Sequence, residues 1–142
     1  MRWVIYAAVT LIAVVGLAAG IGYILPVDHE ASRSAEFNQP PHVIYDIISD
    51  LPGYAAWWPE NETRVEVVEA VPPSKFITRI VGETAFGGTW TMEIVPIPSG
   101  SRLTITERGE IYNPIFRTLA KFVFGHTRTM DNCLTALRHK LP

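Results

Sequence analysis

The chain has 142 residues, nearly half of them apolar, and a formal net charge of −2 at neutral pH. That length has room for one soluble domain beside any anchor. A mildly acidic balance, with no basic patch interleaved with exposed aromatics, excludes a nucleic-acid binder, and a single cysteine, Cys133, excludes an internal disulfide.

The first element is apolar. Val4 to Leu25 is a run of 22 uncharged residues broken only by Thr10 and the amphipathic rings of Tyr6 and Tyr23. At about 1.5 Å per residue a helix of that length spans about 33 Å, close to the ~30 Å hydrocarbon core of a bilayer. Trp3, Tyr6 and Tyr23 stand near its ends, where amphipathic rings prefer the interface. The competing reading is a cleaved signal peptide, with Arg2 as the positive end and Gly16-Leu17-Ala18 as a small-residue cleavage signal. The run continues for seven residues past Ala18, however, which favours an uncleaved anchor. Residues 1–27 thus read as a transmembrane anchor and linker, with 28–142 as the domain. Arg2 points to a cytoplasmic N-terminus, while Asp28 and Glu30 flank the far end, which puts the domain on the outer side.

After Pro26, His29 to Phe37 reads as a first strand, and Asn38-Gln39-Pro40-Pro41 breaks it. Val43, Ile44, Ile47 and Ile48 then recur on one side of a short helix, closed by Asp50-Leu51-Pro52-Gly53. Tyr54 to Pro59 is an aromatic turn or a second short helix. From Arg64 the period becomes alternating, with turns at Pro72-Pro73-Ser74 and Pro98-Ser99-Gly100. Thr89 to Val95 is the clearest strand, placing Trp90, Met92 and Ile94 on one face. The next strand puts Leu103, Ile105 and Glu107 together. Short turns between these runs predict an antiparallel meander.

Asn113 and Pro114 suit the N-cap and first position of a long C-terminal helix. Ile115, Leu119, Phe122, Val123, His126, Met130, Cys133, Leu137 and Leu141 follow one face of it. Gly125 interrupts this pattern, either as a kink or as a tolerated solvent-side glycine. Cys133 reads as a small buried apolar residue. The fold class is α+β: a curved antiparallel sheet, two short helices and one long C-terminal helix, behind one transmembrane helix.

Phe37-Asn38-Gln39-Pro40-Pro41-His42-Val43-Ile44-Tyr45-Asp46-Ile47-Ile48-Ser49-Asp50, followed by Trp57-Trp58-Pro59, resembles the SRPBCC superfamily. This is the helix-grip fold shared by START-like lipid-transfer domains and polyketide cyclases. The chain departs from the pattern in offering four strands between Arg64 and Ile111 where that family usually has five or six, so the sheet is expected to be short. The resemblance implies binding of an apolar or amphipathic molecule between sheet and long helix. Trp90, Met92 and Ile94 from the sheet, with Phe122, His126 and Met130 from the helix, are the candidate pocket wall, although stripes at such spacing are more often core than ligand wall.

Catalytic motifs are missing from the sequence: no phosphate loop, no Gly-x-Ser-x-Gly elbow, no metal-spaced His/Cys set. No cofactor or metal is therefore expected. His126 falls on the apolar face of the helix, as a satisfied core histidine or a cavity-mouth residue, or else as a general acid or base working with Glu93 or Glu107. Charge divides unevenly: Pro26 to Glu110 holds 6 Lys/Arg against 13 Asp/Glu (net −7), and Ile111 to Pro142 holds 5 against 1 (net +4). The basic tract is either a solvated helix face or an attraction to anionic headgroups. The leading expectation is non-catalytic binding of a hydrophobic small molecule or lipid by a membrane-tethered domain. Its alternatives are a cyclase- or dehydratase-type enzyme in the same pocket and a protein-interaction module with a filled core.

Overall fold

Two stretches of period-two patterning, one before the short helices and one after them, combine into a single sheet. The computed structural model describes residues 1–59 and 61–142. Helix α1 (Arg2–Ile24) is followed by strand β1 (Asp28–Phe37), helix α2 (Pro41–Ser49), a 3₁₀ turn at Leu51–Gly53 and the short helix α3 (Tyr54–Trp57). Strands β2 (Val65–Val71), β3 (Lys75–Ile80), β4 (Phe86–Ile97) and β5 (Gly100–Ile111) form the meander. The sheet order is β1-β5-β4-β3-β2, antiparallel throughout, so the first strand returns to the far side of the last. Four strands lie between Arg64 and Ile111, as the sequence pattern predicts. The edge strand β2 is almost wholly exposed and carries a bulge at Val67/Glu69, which twists it away from further pairing.

The core lies over one half of this sheet. Leu103 and Ile105 on β5 sit opposite Ile94 and Met92 on β4, and all four are buried. Ile44 and Ile48, one turn apart on α2, cover them. Met130, Cys133 and Leu137 on helix α5 (Arg128–Lys140) close the other side. Arg33 is on β1 in register with Ile105, and it donates to Asp131 Oδ1 at 3.0 Å and to Thr127 Oγ1 at 3.2 Å. These bonds fix the start of α5 over the sheet.

The C-terminal helix is not continuous. Asn113 caps helix α4 (Pro114–Leu119), accepting from the Ile115 and Phe116 amides at 2.9 and 3.2 Å, as its position in the sequence predicts. A π turn follows at Ala120–Phe124, and Gly125 then adopts φ 73° and ψ 171°. That conformation lies outside the helical region and is accessible only to glycine at low cost. The apolar pattern runs across the break, which is why the sequence reads as one helix. The break detaches Phe122 and Val123 from the face that α5 continues, and both are exposed.

Candidate functional site

Strands β4 and β5 have twelve residues each and extend past the part of the sheet that α5 covers. Over this overhang the roof is α4 and the π turn, which stand off the sheet instead of packing on it. The cavity beneath them is partly open and has a volume of about 370 Å³, at the small end of the ~300–1,000 Å³ usual for ligand sites. Its walls are largely apolar: Trp58, Trp90 and Met92 on one side, Phe116, Leu119 and Phe124 on the other. Trp58 stacks on Trp90 with ring centroids 5.7 Å apart, so the aromatic turn after α3 forms an end wall.

One polar cluster interrupts this surface. Glu107 continues the inward face of β5 beyond Leu103 and Ile105, and its side chain is 17% exposed. Its Oε1 accepts from His29 Nε2 at 2.8 Å, and its Oε2 accepts from Trp90 Nε1 at 2.5 Å. The first bond puts a proton on His29 Nε2 when the ring faces a carboxylate. His29 Nδ1 is buried without a hydrogen-bond partner among the described residues. The His29 ring stacks on His126, with centroids 4.1 Å apart and planes tilted by 23°. Space for the ring comes from Gly109, directly opposite His29 in the β1–β5 register. A Cβ at position 109 would fall 2.3 Å from His29 Cε1 and 3.2 Å from Glu107 Oε1.

Burial lowers the His126 pKa from its ordinary value, His29 beside it adds to the lowering, Glu107 opposes it, and Lys121 lowers it further. The consequence for stability has a definite sign. The unfolded imidazole takes up its proton near pH 6.5, and the folded one does so only at lower pH. As pH falls from 7 the unfolded state binds more protons, so stability declines. The urea midpoint is expected to fall between pH 7 and pH 5, and His126→Phe to flatten that fall. Parallel pH profiles for the two proteins would refute the assignment.

Of the residues singled out from sequence, Trp90, Met92 and His126 line the cavity. Ile94 and Met130 are buried in the core beside it and do not reach the lining. Phe122 is corrected: it is 65% exposed and turned away, because the π turn and Gly125 break the helical register that placed it with His126. Trp90 therefore faces Phe116 and Phe124 across the cavity rather than Phe122. Glu93 is exposed on the outer face and takes no part, whereas Glu107 lies within the cluster. His29, Trp58, Phe116, Leu119 and Phe124 were missed as wall residues. His29 shares the period-two face of β1 with Ala35 and Phe37, a signal that was present; the residues of α4 carried none, since their role depends on the break at Gly125.

No protein-family model matches the chain, and no curated protein matches it by sequence. Solved structures match in fold. A START superfamily protein from Mycobacterium smegmatis superposes with a TM-score of 0.63 at 18% identity, over 79% of this chain and 96% of that one. A Rhizobium loti protein gives 0.60 at 18% identity, over 81% and 98%. A Rhizobium leguminosarum protein gives 0.57 at 13% identity, over 79% and 95%. The chain has the START-like helix-grip fold, with an N-terminal helix long and apolar enough to cross a membrane.

Proposed function

We propose that the domain binds a hydrophobic small molecule or lipid in the cavity beneath α4, and that α1 tethers it to a membrane on the outer side. The observation that carries this reading is the cavity itself, a largely apolar and partly open space with the His29–Glu107–His126 cluster on its wall. Such a lining suits an amphipathic molecule, whose apolar body displaces nothing hydrogen-bonded and whose polar end meets His29 and His126. With Nε2 committed to Glu107, His29 Nδ1 offers an acceptor for a hydroxyl or amide on the ligand. The fold of the START superfamily protein supports a ligand-binding domain. An interaction module would need the space filled.

A second reading, an acid–base enzyme in the same cavity, is favoured by the His29–Glu107 pair lying beside His126. In that reading the imidazoles exchange protons with the bound molecule and Glu107 orients His29. Co-purified material separates the two: an unaltered lipid argues for carriage, a pair of related compounds differing by water for turnover.

The test is native mass spectrometry of the detergent-purified protein, paired with titration of a fluorescent fatty acid. The unmutated protein is expected to bind the probe and Trp90→Ala to bind it weakly. Because Trp90 already borders empty space, its truncation is expected to cost less than the ~3–5 kcal/mol lost on truncating a packed aromatic. No probe uptake by the unmutated protein, with a full core-sized loss for Trp90→Ala, would remove the ligand site.

A further inference from the structure

Helix α1 does not stand free of the domain. Its first sixteen residues, Arg2 to Leu17, are all exposed, but its last two turns pack on α4. Gly22 lies against Pro114 so closely that a Cβ there would fall 1.7 Å from the Pro114 carbonyl oxygen. Four residues further along α4, Thr118 Oγ1 donates to the Ala18 carbonyl at 2.6 Å. Position rises along α4 as it falls along α1, so the two helices run antiparallel.

Arg117 secures the pair. Its Nη1 donates to the Gly22 and Leu25 carbonyls at 2.7 and 3.3 Å, filling acceptors left open at the end of α1. Its Nε and Nη2 donate to the Ile111 and Tyr112 carbonyls, both at 2.8 Å. The polar side chains of α4 are thereby consumed within the protein. Beyond them Phe122, Val123 and Phe124 are between 54% and 66% exposed, with Lys121 among them.

We infer that the segment Pro114–Phe124 is a second membrane contact, an apolar wedge that enters the same bilayer that α1 spans. This rests on the reading of α1 as a membrane span. The argument is one of depth. Ala18 lies seven residues before Leu25, so Thr118 sits about 10 Å back along α1 from its end. A bilayer that takes up α1 to Leu25 must therefore meet α4, and the π turn lies further in the same direction. Three consecutive exposed apolar residues would be costly in water. In the bilayer they bury their side chains, and the flexible Lys121 stem turns its ammonium back toward the surface. The same segment lines the cavity through Phe116 and Leu119, with the half-exposed Phe124 at its rim, so the mouth opens against the bilayer.

Depth-dependent fluorescence quenching in phosphatidylcholine vesicles tests this on the full-length chain. An environment-sensitive dye is placed on Phe122→Cys, on Leu11→Cys in mid-helix and on Ser74→Cys in the β2–β3 turn. Cys133 is fully buried, and burial pushes its thiol up to about 12, so the introduced cysteine takes the label. Lipids carrying a nitroxide high or low on the acyl chain act as quenchers. The expected result is quenching by the acyl-chain nitroxides at both 11 and 122, with at least a twofold loss of emission at each, and none at 74. Quenching at 11 without quenching at 122 overturns the wedge and leaves the span standing. No quenching at 11 overturns the span and the wedge with it.

Discussion

Replacing Leu103 with alanine is expected to lower the stability of the domain by about 2–5 kcal/mol, toward the upper end of that range. Leu103 is completely buried on β5, with Ala35 of β1 on one side and Ile94 of β4 on the other. Both neighbours are held by ladder hydrogen bonds, so the backbone around the deleted side chain cannot close on the space. Ile44 and Ile48 above it are fixed by their own burial in the same cluster. The void therefore persists, and its cost adds to the lost transfer free energy. Leu103 does not line the cavity, so probe binding by the folded fraction is expected to be unchanged. Urea denaturation with a parallel probe titration checks both parts. A loss below about 1 kcal/mol would mean the core had been misplaced.

Glu107→Leu is expected to have the second-largest effect, and of a different kind. The substitution leaves His29 Nε2 and Trp90 Nε1 without their acceptor, each at a cost of about 1–3 kcal/mol where solvent cannot reach. Leucine returns part of this by burying apolar surface in an apolar wall. The net destabilisation should be smaller than that of Leu103→Ala, while binding of a probe with a polar head should fall at least tenfold. Glu107→Gln is the informative comparison. Its one oxygen can satisfy one of the two donors, and its amide nitrogen faces the other, so it should lie between Glu and Leu in stability. Indistinguishable Gln and wild-type proteins in both assays would show that the cluster is not held by these two bonds.

The sequence revealed the parts of this molecule whose patterns are local. Val4 to Leu25 needs only composition, and α1 covers Arg2–Ile24. The alternation of Trp90, Met92 and Ile94 with threonine and glutamate needs only a period of two, and these three side chains do point inward from β4. What could not be read depends on distant pairing. His29 and Glu107 are 78 residues apart, and only the alignment of β1 with β5 brings one over the other. The break at Gly125 was visible as a glycine, but the apolar spacing carries on across it, so periodicity favoured a single helix. The cavity follows from that break, because an unbroken helix from Pro114 onward would have extended the face that α5 packs against the sheet.

The connection between α1 and the sheet has a mechanical consequence. Only Leu25, Pro26 and Val27 lie between the two elements, and the Val27 carbonyl already accepts from the Ile111 amide at 3.0 Å. Three residues can extend to about 10 Å at most, and Arg117 grips the helix end across that gap. The domain is therefore not a weight on a string. It behaves as a vane fixed to its axle, turning only as α1 turns and keeping one height above whatever α1 is embedded in. With α1 in a membrane, as proposed, the domain's movement would be confined to a plane, and lengthening the three-residue connection would not widen it while Arg117 holds Gly22 and Leu25.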